Sequence, residues 1–281
     1  MNNNLAPICL FTFNRLVETK KTVSALQNNY LASKSELFIF SDGWKSLEAR
    51  GEIEKVRTFL KTITGFKTIT IFESELNKGL ANSIIDGVTK IIDIYGKVIV
   101  LEDDLKTTRN FLDFMNQSLD FYKDTEAVQS VSGYSLKIKN KVENSDVYFH
   151  QRAHSWSWAT WRDRWKEGIF DKERLKKELT KDILDSFKLS CGDDISGMLL
   201  DSINGVNDSW YVRWVYNHYK NNTYGVYPYY SKVENIGFSD KGTHCHGINV
   251  YSTEMDAELK ESFKFSSYIE NSFISKQFLL Y

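Results

Sequence analysis

This chain of 281 residues contains only two prolines, Pro7 and Pro228. No Pro-, Gly- or Ser-rich linker divides it, so one domain or two closely packed lobes are expected. Cysteine is equally sparse. Cys9, Cys191 and Cys245 are far apart, odd in number and without metal-ligand spacing. That excludes a disulfide framework and favours a reducing compartment. No apolar run reaches membrane-spanning length. The opening MNNNLAPICLF has neither a basic leading stretch nor a long apolar core, so no signal peptide is expected. A surplus of one charge is also missing: Lys+Arg 36 stand against Asp+Glu 37, a net charge of −1, with no basic block. Nothing there points to a nucleic-acid partner. Finally, no Gly-x-Gly-x-x-Gly follows the first apolar run, and there is no Walker loop. A dinucleotide-binding Rossmann domain is disfavoured. A nucleotide bound here would not be gripped by a glycine-rich loop, and a metal ion would have to carry much of its diphosphate charge.

What is present is a repeating α/β pattern. Ile8–Phe13 (ICLFTF), Leu37–Phe40 (LFIF) and Val98–Leu101 (VIVL) read as buried strands, and Lys67–Phe72 (KTITIF) as a further strand. Amphipathic stretches separate them: Leu16–Leu26, residues 47–63, and a helix opened by Asn77-Lys78-Gly79 and running to about Tyr95. Right-handed crossovers would bring the carboxyl ends of these strands to one edge of a mostly parallel sheet. Each strand ends in polar residues, so Arg15, Asp42, Asn77 and Asp104 are expected along one crevice. Taken singly, each has a plainer explanation: a surface ion pair, a turn, a helix cap.

The most informative stretch is KVIVLEDDL, Lys97–Leu105, where Glu102, Asp103 and Asp104 follow a run with no polar alternation. Three adjacent acids cannot sit in a buried strand unless something offsets their desolvation and repulsion. Their natural place is just past its carboxyl end, where open α/β sheets bind ligands. Oxygen donors there suit Mg²⁺ or Mn²⁺ shared with a substrate's phosphates.

The second half differs in composition. Six of the seven tryptophans and all five histidines lie after residue 149. In HQRAHSWSWATWRDRW, Trp161 and Trp165 have helical spacing and read as core. Trp156 and Trp158, placed before that helix, are candidates for stacking on a sugar face. Residues 171–189 read as one charged peripheral helix, and Asp193 and Asp194 as helix caps. Asp208, before Ser209-Trp210, is either a helix cap or a general base that takes a hydroxyl proton. Pro228 to His244 reads as a glycine-rich loop. Phe263, Phe265, Tyr268, Phe273 and Phe278 form a docking face, a dimer contact or a membrane-surface patch, with nothing in the sequence to choose among them.

The acidic motif in VIVLEDDLKTTRNFLDFMNQSLDFY resembles that of GT-A-fold glycosyltransferases, most of all the N-acetylglucosaminyltransferase I type and bacterial family 2-like transferases of surface polysaccharides. The likeness runs over nearly the whole chain, but only this motif and two later segments are specific. It implies one GT-A domain over 1–281: a nucleotide-sugar-binding half to about residue 135 and an aromatic-rich acceptor and lid half from about 136. It implies a metal-dependent, inverting transfer of a hexosyl or N-acetylhexosaminyl unit from a UDP-sugar to a glycan or lipid-linked oligosaccharide. The expected setting is the cytoplasm, at the inner membrane face.

By the same resemblance Asp104 touches Mn²⁺ or Mg²⁺, while Glu102 and Asp103 face the donor's sugar and ribose. Arg15 and Asp42 help hold the base, and the segment with Asn77 and Lys78 lies beside the nucleotide. The Trp158 region forms the floor under the transferred sugar. Asp208 is the base, although the family's acidic pair before tryptophan is here a single acid followed by Ser209. The loop closes over the diphosphate, with Thr243 and His244 touching phosphate or metal.

Two other classes compete. A sugar-1-phosphate nucleotidyltransferase would carry a glycine-rich basic loop where this chain has FNRLVETKK. A non-catalytic glycan-binding module would rest on the tryptophans alone.

Overall fold

A computed structural model of the chain describes residues 4–138, 141, 143–166, 168–238 and 253–269. The elements follow in chain order: β1 (Ile8–Thr12), α1 (Leu16–Gln27), β2 (Glu36–Ser41), α2 (Arg50–Leu60), β3 (Thr68–Glu73), α3 (Leu80–Tyr95), β4 (Lys97–Glu102), β5 (Leu105–Thr107), α4 (Phe111–Tyr122) and β6 (Val128–Ser132). They continue with β7 (Val147–His150), β8 (Trp158–Trp161), α5 (Lys172–Glu178), α6 (Lys181–Cys191), α7 (Ile195–Ile203), α8 (Trp210–Lys220), β9 (Tyr224–Pro228) and β10 (Val233–Asn235).

The main sheet has the strand order β3-β2-β1-β4-β8-β6-β9-β7, and β10 pairs with β5 apart from it. The first four strands are parallel, and β1, β2 and β4 carry the apolar runs of strands covered on both faces. Beyond β4 the sheet is mixed: β8 runs antiparallel to both β4 and β6, β9 parallel to β6, and β7 antiparallel to β9. Strands from both halves of the chain therefore share one sheet.

Strand β4 shows why its sequence has no polar alternation. Ile99 and Leu101 face the core under α1, α2 and α4. Val98 and Val100 face the core under α3, α6, α7 and α8. Each such side chain contributes about 1.5–3 kcal/mol by burial. Gly96 ends α3 in the left-handed region, φ +76°, and its N–H returns to the Ile92 carbonyl. This closes the helix directly before β4 begins.

Three expectations are corrected. Residues 171–189 form two helices rather than one. Asp171 caps α5 through the Glu173 and Arg174 N–H groups, and Thr180 caps α6 through that of Ile183. Trp158–Trp161 is a strand, not the approach to a helix, because β4 and β6 bracket it. The stretch from Pro228 is not all loop, since β10 pairs with β5 in the register Asn235↔Leu105.

The described residues include part of the C-terminal aromatic stretch. Phe263 and Phe265 pack on Phe114, and Phe265 also meets Tyr122, so these two are half-buried against the core. Tyr268 is exposed, while Phe273 and Phe278 lie outside the described residues. Lys232 and Asp256 pin this segment as an ion pair with side chains only 4% and 3% exposed, and Asn110 donates to the same carboxylate. Burial lowers the Lys232 pKa against the pull of Asp256. Removing one partner of a buried pair leaves a stranded charge. Asp256→Ala is therefore expected to cost about 3–5 kcal/mol in urea unfolding. The double variant Lys232→Met with Asp256→Leu should recover most of that loss.

Among the described residues no helix is long and apolar enough to cross a membrane.

Candidate active site

The carboxyl ends of β1 to β4 lie at one edge of the sheet, and the residues after them form two groups. The first is built on the acidic motif. Glu102 ends β4 in register with Phe11 of β1, and Asp103 and Asp104 occupy the turn into β5. Asp103 is anchored on its backbone and its side chain: the Phe13 N–H donates to Oδ2 at 3.2 Å, and the Thr22 hydroxyl donates to its carbonyl. Arg15, just past β1, reaches both acids with one nitrogen. Its Nη2 stands 2.7 Å from Asp103 Oδ1 and 2.8 Å from Asp104 Oδ2.

Three carboxylates thus face one guanidinium. Burial, then repulsion from Asp104 and Asp103, pushes the Glu102 carboxyl upward. Burial pushes Asp103 up to about 6 against the pull of Arg15. Burial opposes the charge on Arg15, but Asp103 and Asp104 outweigh it and raise its pKa.

The strand pair β5–β10 lays a second backbone over this group. The Ile236 N–H donates to the Asp104 carbonyl at 2.9 Å. At Gly237 a Cβ would lie 2.1 Å from Asp104 Oδ2 and 3.0 Å from Arg15 Nη1, so any larger residue there would have to displace those side chains. The sequence reading placed this loop near the donor but did not single out Gly237. The only signal was its place in Asn235-Ile236-Gly237.

The second group is built on Asp42. Its Oδ1 accepts the N–H of Gly43 and of Lys78, both at 2.9 Å. Its Oδ2 accepts from Asn77 Nδ2 at 2.9 Å and from the Gly79 N–H at 3.0 Å. Four donors fill the acceptor sites of a carboxylate. Asp42 therefore has a positioning role in the 77–79 turn. Asn77 shares in it, donating also to the Gly43 carbonyl. The Lys78 ammonium pairs with Asp86 at 3.0 Å on the surface.

Asp208 joins this second group. A Cβ at Gly79 would lie 4.0 Å from Asp208 Oδ2, so the carboxylate stands beside the turn that Asp42 holds. It is not a helix cap: Ser209 caps α8 by accepting the Val212 N–H. Lys172 at 3.2 Å and Arg213 at 3.4 Å both bind Oδ1, and the side chain is half exposed. The chemistry open to such a group is proton acceptance from an alcohol.

Other expectations change. Trp158 is 2% exposed and packs among Trp165, Trp210 and Trp214 at 5.2–5.9 Å between ring centres. It is core and cannot offer a ring face to a sugar. Trp156 is half-buried and meets Tyr134 and Phe238 edge to face. Asp194 does not cap α7 with its side chain but pairs with Arg152 through two bonds of 2.8 Å. Arg15, expected at the base, stands on the acids instead. Thr243 and His244, expected at phosphate and metal, lie outside the described residues.

Cavities of about 470 and 550 Å³ lie elsewhere, one beside Arg164 and the end of α8, the other between α1 and α2. Neither is lined by the acidic motif.

Among the described residues no three His, Cys, Asp or Glu side chains converge in a ready metal cage. The donor set nevertheless fits a hard divalent cation. It is all oxygen and carries more negative charge than Arg15 offsets. Asp104, with Asp103 beside it, would hold such an ion.

No protein-family model matches the chain, and no curated protein does. Solved structures that resemble it in part include the mannosyltransferase PcManGT from Pyrobaculum calidifontis in complex with GDP-Man and Mn2+. The identity there is 15% and the TM-score 0.39, over 62% of this chain and 48% of that one. S. aureus TarS is similar at 10% identity and a TM-score of 0.35, over 50% of this chain and 24% of that one. The chain thus spans less than half the length of either, and likeness of that extent decides no function.

Proposed function

We propose that this chain is a metal-dependent, inverting glycosyltransferase of the GT-A type, moving a hexosyl or N-acetylhexosaminyl unit from a UDP-sugar to a glycan hydroxyl. The setting is bacterial surface polysaccharide synthesis at the inner membrane face, on a glycan or lipid-linked oligosaccharide acceptor. One observation carries this reading: three carboxylates, with Arg15 as their counter-cation among the described residues, stand at the carboxyl end of a central strand, at the same sheet edge as the Asp208 carboxylate.

When bound, Mn²⁺ or Mg²⁺ would act as a Lewis acid on the diphosphate as negative charge develops there. The chain's own residues do the rest. Asp103, fixed by the Phe13 N–H, keeps the acidic turn in place. Asp42 sets the course of residues 77–79 beside the nucleotide. Asp208 takes the acceptor's proton as its oxygen attacks the anomeric carbon from the face opposite the diphosphate, a carbon that becomes oxocarbenium-like as in glycoside hydrolysis. The backbone at Ile236–Gly237 covers the acidic motif and limits access of water, which would otherwise hydrolyse the donor.

The burial of Trp158, Trp161, Trp165, Trp210 and Trp214 weighs against a non-catalytic glycan-binding module built on those rings and leaves it the half-buried Trp156. Incubation with a panel of nucleotide sugars and Mn²⁺ separates the reaction classes. The transferase releases nucleoside diphosphate, a nucleotidyltransferase consumes pyrophosphate or releases it, and a binding module does neither. Release of UDP only in the presence of an acceptor glycan is the expected result.

A further inference from the structure

Arg15 holds a position that the proposed chemistry does not explain. A residue meant for the nucleotide would point its guanidinium out of the strand-end turn. Here Nη2 is placed between Asp103 Oδ1 and Asp104 Oδ2, within hydrogen-bond distance of each. The two acids are not held equally. Asp103 has the Phe13 N–H on its other oxygen and is 5% exposed in its side chain. Asp104, 11% exposed, has Arg15 as the only side-chain partner of its carboxylate among the described residues. The Arg15 backbone is fixed, because its carbonyl accepts both the N–H and the hydroxyl of Thr19 at the start of α1. Its side chain is one quarter exposed.

We infer that Arg15 is the internal counter-cation of the acidic motif, competing with a divalent ion for Asp104 and exchanging with it while keeping its hold on Asp103. The inference rests on the reading that a divalent ion binds Asp104. The physical case is direct. Without any cation, three neighbouring carboxylates repel one another in a poorly solvated turn. A guanidinium on a long side chain relieves that repulsion. It withdraws from Asp104 more readily than from Asp103, whose second oxygen is tied to the backbone. The same contact then sets a threshold on ion affinity. The ion has to displace a charge-assisted hydrogen bond, and removing that bond should raise affinity about tenfold or more.

The test is a titration of the full chain with MnCl2, following the electron paramagnetic resonance signal of free Mn²⁺, for the wild type, Arg15→Gln, Arg15→Lys and Asp104→Asn. No turnover is needed. Arg15→Gln is expected to bind Mn²⁺ at least tenfold more tightly than the wild type. Arg15→Lys, which keeps the charge but loses reach, should bind about threefold more tightly, and it decides the matter if the glutamine variant does not fold. Asp104→Asn should lose binding. Equal affinity in the wild type and both Arg15 variants, with loss in Asp104→Asn, would overturn the role of Arg15 and leave the ion reading intact. Weaker binding in the Arg15 variants would make Arg15 an organiser of the site and overturn the competition. No Mn²⁺ binding by any form would overturn both.

Discussion

Asp104→Asn is expected to lower sugar transfer by about a thousandfold or more, with little change in fold. The loss follows from what the carboxylate would do. Lewis-acid stabilisation of a departing diphosphate contributes several kcal/mol, and each 1.4 kcal/mol is about tenfold in rate. The fold should survive because asparagine keeps the shape and an oxygen that accepts from Arg15 Nη2, and the Asp104 carbonyl still takes the Ile236 N–H. Initial rates at saturating donor, compared with a urea unfolding midpoint, separate the two effects. A variant that loses rate and stability together would make Asp104 a structural acid.

Asp208→Asn is the second large effect. A positioned general base contributes about a hundred- to ten-thousandfold. The predicted kcat falls within that range, while the KM for the donor stays within about twofold. The stability of the variant should fall modestly, because the buried Arg213, 4% exposed, loses the charge of its paired carboxylate. Asp208 is half exposed, and its pair with the one-third exposed Lys172 is of the kind that contributes about 0–1 kcal/mol. Arg213 keeps its bonds to the carbonyls of Ser209 and Phe170. A near-full rate in this variant would leave Asp208 as an anchor for Lys172 and Arg213 and move the base elsewhere.

The sequence showed the parallel half of the fold clearly, for a physical reason. Strands covered on both faces lose their polar alternation, so Ile8–Thr12 and Lys97–Glu102 stand out as apolar runs. The antiparallel insertion did not stand out. Trp158–Trp161 is a four-residue strand with all four residues buried, and its tryptophans continue to Trp165 at a spacing that a helix would also show. Burial of Trp158 depends on Trp210 and Trp214, some fifty residues later, which no local pattern reveals. The break in the 171–189 stretch was legible in principle, since Thr180 has the chemistry of a cap.

At the site, position was legible and partnership was not. Arg15, Asp42 and the acidic motif stand at one sheet edge, as the crossovers require. A carboxylate after a strand has the same sequence signature whether it faces a ligand or ties the next turn. Asp42 proved to be tied by Gly43, Asn77, Lys78 and Gly79. The contact of Gly237 with Asp104 was equally hidden, because the pairing of β10 with β5 creates it across more than a hundred residues.

The central claim is that the acids after β4 hold a divalent ion that lets a nucleoside diphosphate bind. The most direct measurement is the melting temperature of the wild type and Asp104→Asn with UDP, with and without Mn²⁺. A ligand that binds the folded state raises that temperature. The account predicts a rise of several degrees for the wild type with UDP and Mn²⁺ together, none with UDP alone, and none for Asp104→Asn. An equal rise without the ion, or an undiminished rise in Asp104→Asn, would contradict it.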